Sequence, residues 1–199
     1  MITKDRMMRI GKKGALMQNK LLIKLIVSTE AMFFLALVMA FIYFSFTPDF
    51  KSHQLLNLDL KTTGIFSLLL FSSSFTYWRA EANYHKGEIR WLKFWLIVTI
   101  LLGAIFLFGQ GSEYLSLLNS HISVSSSIFG TSFFTLTGFH GLHVFVGIIV
   151  IGIVTCLTFL GDYTNKKSSV IGAVGIYWHF VDIVWAVVFL IVYVLPHIY

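Results

Sequence analysis

The sequence predicts an all-α integral membrane protein with five transmembrane helices, N-terminus inside and C-terminus outside, on three observations. Of its 199 residues, 57% are hydrophobic and only 12% charged, where soluble domains run at ~45–50% apolar and ~25% charged. The apolar residues gather in five long runs, each near the ~20 residues that a membrane-spanning helix needs. The basic residues gather on alternate loops, as the positive-inside rule requires of an inserted bundle.

The first run extends from Leu21 to Phe46 and stops at Thr47-Pro48-Asp49. The second covers about 62–78, the third about 91–108, the fourth about 128–160 and the fifth about 170–195, before Pro196. Within lipid only helices and closed barrels satisfy the backbone, and runs this continuous lack the alternation of barrel strands. The fourth run is long enough to tilt or to begin outside the hydrocarbon core. Short connections, no internal repeat and no low-complexity linker make 1–199 a single transmembrane domain. The basic N-terminal stretch is not read as a cleaved signal, because the apolar run after it far exceeds a signal h-region of ~7–15 residues.

Orientation follows from charge. Lys4, Arg6, Arg9, Lys12, Lys13 and Lys20 precede the first span; Arg79, Lys86, Arg90 and Lys93 flank the second loop; Lys166 and Lys167 lie in the fourth. These twelve share one side, and only Lys51 and Lys61 lie on the other. Lys24 lies near the inner end of the first span, where it can snorkel to the headgroups. The net charge of +6 is therefore mostly loop charge flanking apolar spans and gives no ground for a nucleic-acid partner. A single cysteine, Cys156, rules out an internal disulfide and a multi-thiolate metal site.

Ionisable groups within spans are costly and mark either a site or a buried pair. Glu30 in the first span is either a proton-linked carboxyl or a neutral acid bonded to a neighbouring helix. His140 and His143 are three residues apart, which puts them on one helix face. They are either ligands or packed, hydrogen-bonded histidines, and two imidazoles alone lack the ligand count of a metal site. Gly138, Gly141 and Gly147 let another helix backbone come close. His179 and Asp182 repeat the three-residue spacing, as a proton relay or as a structural pair that lowers the burial cost of each member. Glu113 is either a helix-end carboxylate facing headgroups or, with the other five, a buried polar functional candidate. Arg79, Glu81, His85, Lys86, Glu88 and Arg90 form a mixed-charge inner loop. Arg79, Lys86 and Arg90 are its candidates for anionic lipid headgroups, and a docking or proton-uptake surface is the sharper alternative. No phosphate-binding loop, nucleophile elbow or CxxC pair is present.

Four segments carry a resemblance. Thr131-Ser132-Phe133-Phe134 leading to GFHGLHV (Gly138 to Val144), YWHFVDIVW (Tyr177 to Trp185), Ser28-Thr29-Glu30 with Met32-Phe33-Phe34, and Gln110-Gly111-Ser112-Glu113-Tyr114 together resemble cytochrome oxidase subunit III. They span the chain from about residue 25 onward. The resemblance implies a non-catalytic subunit of a proton-pumping haem-copper oxygen reductase of a bacterial cytoplasmic membrane. Subunits I and II would be its partners, joined by phospholipids and a further small subunit or a larger respiratory assembly. Haem and copper would lie in the partner subunits and none in this chain, so His140, His143 and His179 would be structural. The implied role is support of the core subunit, lipid binding, proton uptake and oxygen access. The sequence resembles the family from its third helix onward, so elements from subunit I or a small subunit are expected where the first helix pair of the longer form lies. The electron donor, cytochrome c or a quinol, is left open. The rival readings are an accessory subunit of a nitric oxide reductase, an independent proton channel and a haem-binding protein.

Overall fold

The computed structural model describes residues 4–47, 50, 60–125, 127–163 and 168–195, with side chains described from residue 21 onward. Lys51, Lys166, Lys167 and the basic side chains before Leu21 lie outside the described residues, so the charge asymmetry rests on sequence alone.

Five helices make up the architecture: α1 (Lys4–Ser45), α2 (Leu60–Lys86), α3 (Ile89–Asn119), α4 (Ile128–Leu160) and α5 (Val170–Phe189), with a π-helical turn, Leu190–Val194, continuing α5. Among the described residues four segments are long and apolar enough to cross a membrane: Leu21–Ser45, Ile89–Asn119, Ile128–Leu160 and Val170–Val194. Helix α2 is not among them, because Thr62, Thr63, Ser67, Ser72, Ser73, Ser74 and Thr76 lower its apolar content. Its 27 residues nevertheless give a length of ~40 Å at ~1.5 Å per residue.

Three boundaries depart from the sequence reading, the first being the start of α1, which is helical from Lys4 although its apolar run begins at Leu21. The third helix does not stop at Phe108 but runs to Asn119, because Gln110 and Glu113 find partners on neighbouring helices and need not leave the bundle. The mixed-charge inner loop is almost entirely helical: α2 runs through Lys86, Gly87 turns at φ 80°, and α3 begins at Ile89. Glycine suits that turn because a side chain disfavours positive φ. Helix α4 is delimited as expected. Ser127 Oγ accepts from the Gly130 amide at 3.0 Å at its start, and Gly161 in the left-handed region (φ 95°) closes it.

Helices α2, α3, α4 and α5 pack in a ring, each against the next and α5 back against α2, while α1 lies outside it against α4 and α5. Trp178 and Trp185 of α5 fill the interior of the ring and are among the largest fully buried side chains. Trp178 lies over Gly147 of α4 and Gly103 of α3. A Cβ on Gly147 would come within 2.7 Å of the indole, and one on Gly103 within 3.1 Å. A Cβ on Gly141 would lie 2.7 Å from Gln110 Oε1. The α4 glycines thus admit side chains from α5 and α3 rather than a helix backbone, a correction to the sequence expectation. Gly138 meets only the Tyr114 hydroxyl, at ordinary contact distance of 3.6 Å.

Candidate functional site: polar ties between the helices

Side-chain hydrogen bonds join α1 to α4, α2 to α3 and α5, α3 to α4 and α4 to α5, and the candidate residues are distributed among them. Helices in lipid gain little from mutual burial of apolar surface, so close packing and interhelical hydrogen bonds hold them together.

Helix α1 is tied through Glu30, whose Oε2 lies 3.0 Å from His143 Nε2 on α4. His143 Nδ1 is 2.7 Å from the Phe139 carbonyl one turn earlier. The carbonyl of His143 itself accepts from the Tyr177 hydroxyl of α5 at 3.1 Å. Glu30 is therefore not a lone acid. It belongs to a junction of α1, α4 and α5, closed by the Phe34 ring, 5.0 Å from the His143 ring.

His140 and His143 part company despite their shared face. His140 is fully buried and stacks on Trp185 at 4.7 Å with 26° between planes, and the edges of Phe106 and Phe34 surround it. Neither ring nitrogen has a hydrogen-bond partner among the described residues. The expectation of a hydrogen-bonded histidine thus holds for His143 and fails for His140, whose surroundings are aromatic carbon. Among the described residues no group of three or more His, Cys, Asp or Glu side chains converges on a point where a metal ion could sit.

His179 and Asp182 meet through a third residue rather than directly. Ser74 Oγ of α2 is within hydrogen-bonding reach of Asp182 Oδ2 and lies 2.8 Å from His179 Nδ1. Asp182 is 5% exposed, and its Oδ1 has no partner among the described residues. The same α2–α5 seam holds three more bonds. Trp178 Nε1 donates to Ser73 Oγ at 3.1 Å, Trp185 Nε1 to Ser67 Oγ at 2.8 Å, and the Tyr77 hydroxyl to the Ile171 carbonyl at 2.7 Å.

Glu113 is not a helix-end carboxylate facing headgroups. It lies within α3 and accepts from Thr63 Oγ1 of α2 at 3.0 Å and from the Tyr193 hydroxyl of the π-helical turn at 2.7 Å. A crevice of about 140 Å³ lined by Thr62, Thr63, Ser112, Glu113 and Ser116 opens beside it. One turn earlier, Gln110 Nε2 donates to the Thr137 carbonyl at 2.7 Å, and the hydroxyls of Tyr114 and Thr137 are 2.7 Å apart, joining α3 to α4. Arg79, Lys86 and Arg90 are exposed at the α2–α3 turn. The Arg79 guanidinium lies 5.7 Å from the centre of the Trp95 ring.

Sequence reasoning found the acids and histidines but missed Ser67, Ser73, Ser74, Thr63, Tyr177 and Tyr193, which complete the ties. The available signal was the run of small hydroxyl residues along α2. In a membrane helix such residues bond to their own backbone or face another helix.

These helices and ties define a multi-pass helical membrane protein in which many buried polar groups bond one helix to another. The family model for "Cytochrome c oxidase subunit III" matches residues 10–196. A protein described as probable cytochrome c oxidase subunit 3 from Mycobacterium leprae is 34% identical over 166 residues, 83% of this chain and 82% of the relative. Cytochrome c oxidase subunit 3 of Thermostichus vulcanus is 37% identical over 69% of this chain and 67% of its own length. The Synechocystis protein of that description is 36% identical over 83% and 71%. The chain belongs to the cytochrome c oxidase subunit III family, and so to the haem-copper respiratory oxidases as a membrane subunit.

Proposed function

We propose that this chain is the non-catalytic third subunit of a proton-pumping haem-copper oxygen reductase, assembled on subunits I and II, which hold the haem and copper. The single observation that carries this reading is the family match, which takes in the segments bearing Glu30, Glu113, His140, His143, His179 and Asp182. The interhelical bonds made by Glu30, Glu113, His179 and Asp182 support it. They use these side chains as ties, in keeping with a supporting subunit. As one domain over 1–199, the chain crosses a bacterial cytoplasmic membrane five times, N-terminus inside and C-terminus outside, with α2 as the fifth span. Helix α2 crosses because its hydroxyl face is covered by α5 and α3, leaving residues such as Ile65, Leu68, Phe75 and Trp78 exposed to lipid. Exposed Arg79, Lys86 and Arg90 then lie at the inner headgroups, where a basic residue contributes about 1 kcal/mol of attraction to anionic lipid.

A mild-detergent pull-down through an N-terminal tag, with spectra and mass spectrometry of the eluate, tests the reading. Copurification of haem-copper core subunits supports it, and the haem types and electron donor then identify the complex. Elution of the chain alone removes it.

A further inference from the structure

The α2–α5 seam contains more than a staple. Ser74 has one hydroxyl hydrogen, yet both His179 Nδ1 and Asp182 Oδ2 lie within its hydrogen-bonding reach. If the hydrogen points to Asp182, His179 must donate its Nδ1 proton to the serine oxygen. If it points to His179, Asp182 must be the protonated partner. The two arrangements differ by one proton passed along the serine, with no heavy atom displaced. An ionised carboxylate with a buried, unpartnered oxygen is costly in lipid, so the second arrangement suits Asp182, whose Oδ1 has no partner among the described residues.

The seam also leads outward. Tyr77 lies edge-on to His179, with ring centres 6.1 Å apart. One turn further along α2, Glu81 reaches over two glycines of α5. Its Oε1 is 3.1 Å from where a Cβ on Gly172 would be, and its Oε2 is 3.4 Å from that on Gly175. Any side chain at Gly172 would press on this carboxylate. Glu81 lies 3.7 Å from His85, and their side chains are 29% and 68% exposed. His85 and Glu81 thus lie towards the α2–α3 turn of the α2–α5 seam, and His179 and, across Ser74, Asp182 lie deeper along it. From the other helices against α5, Glu30 of α1 and His143 of α4 face each other instead.

We propose that Ser74, His179 and Asp182 form a proton-holding site, loaded from the α2–α3 turn through His85 and Glu81. A proton taken up at His179 makes the imidazolium. Its Nδ1 proton passes to Ser74 Oγ as the serine hydrogen passes to Asp182 Oδ2. The imidazole ends neutral with hydrogen on Nε2, the serine is unchanged, and the carboxyl ends neutral. The site stands on this chain's own residues and does not depend on which oxidase the chain joins.

Infrared spectroscopy of the full chain in lipid, transferred from H2O to D2O at neutral pH, tests it. A protonated-carboxyl stretch should be present in the native chain, vanish in Asp182→Asn and shift in frequency in Ser74→Ala, which leaves the carboxyl in place. Its deuterium shift should be slowed at least about tenfold in Glu81→Gln, since losing a positioned proton donor typically costs that much or more. An Asp182-dependent band that is absent from the native chain, or that exchanges equally fast with Glu81→Gln, overturns the proposal and leaves the seam a structural staple. Copurification with core subunits is scored separately, so failure of either reading is distinguishable from failure of the other.

Discussion

Helix α1 and the ring helices α3, α4 and α5 have similarly apolar spans but attach to the protein in different ways. Along the most apolar window of each, α1 is 17% buried, against 33% for α3 and α4 and 39% for α5. In α1 only Phe34, Val38 and Phe41 are buried among the described side chains, while Leu21, Leu22, Leu25, Met32, Leu35 and Met39 are exposed. The ring closes on itself through two tryptophans, glycines that admit side chains and a row of serine hydroxyls. What sets the two regions apart is how many small and hydroxyl residues let neighbouring side chains in. Apolar content alone does not hold helices together in lipid.

That contrast is sharpest at Trp178, which touches three ring helices. Trp178→Ala is expected to lower stability by about 3 kcal/mol, at the low end for a large-to-small core change because lipid weakens the hydrophobic share. Unfolding in graded denaturing detergent measures it. An effect no larger than that of an α1 substitution would break the distinction between ring and appended helix. Gly147→Ala is expected to cost about 1–3 kcal/mol by overpacking against the indole, whereas Gly152→Ala, where a Cβ meets nothing within 4 Å, should be neutral in the same assay.

On the α1 side, Glu30→Ala should cost under about 1 kcal/mol, the scale of an interhelical hydrogen bond in a membrane. It should widen the α1–α4 distance read by paired spin labels while leaving ring unfolding unchanged. Glu30→Gln keeps an acceptor for His143 and should preserve that distance. Smallest of all, Arg79→Gln should change stability by less than about 0.5 kcal/mol and show itself only as weaker retention of anionic lipid.

Much of the fold was legible because hydropathy and length report directly on what can lie in lipid. The bounds of α4 and the start of α5 coincide with the sequence reading. The reading failed where polar residues continue a helix. Gln110 and Glu113 look like the end of a span until Thr137, Thr63 and Tyr193 are seen to satisfy them. The candidate residues were legible as types, since an acid or imidazole in an apolar run is conspicuous, but their partners were not. Ser74 is sixth-sense information from the viewpoint of sequence: it lies 105 residues from His179 and 108 from Asp182, and nothing local distinguishes it from Ser72, which bonds only its own backbone at Leu68.

The sequence by itself determined the solvent, the helices, the family and the set of costly side chains, because each of these depends on composition or on spacing along one chain. Only the tertiary structure decided that His140 stacks where His143 pairs, that Glu113 is bonded from two sides, and that a serine joins His179 to Asp182. Those outcomes depend on which faces of different helices meet. In a bilayer that is settled by fine complementarity of small and large side chains, a property of the assembled bundle rather than of any one run.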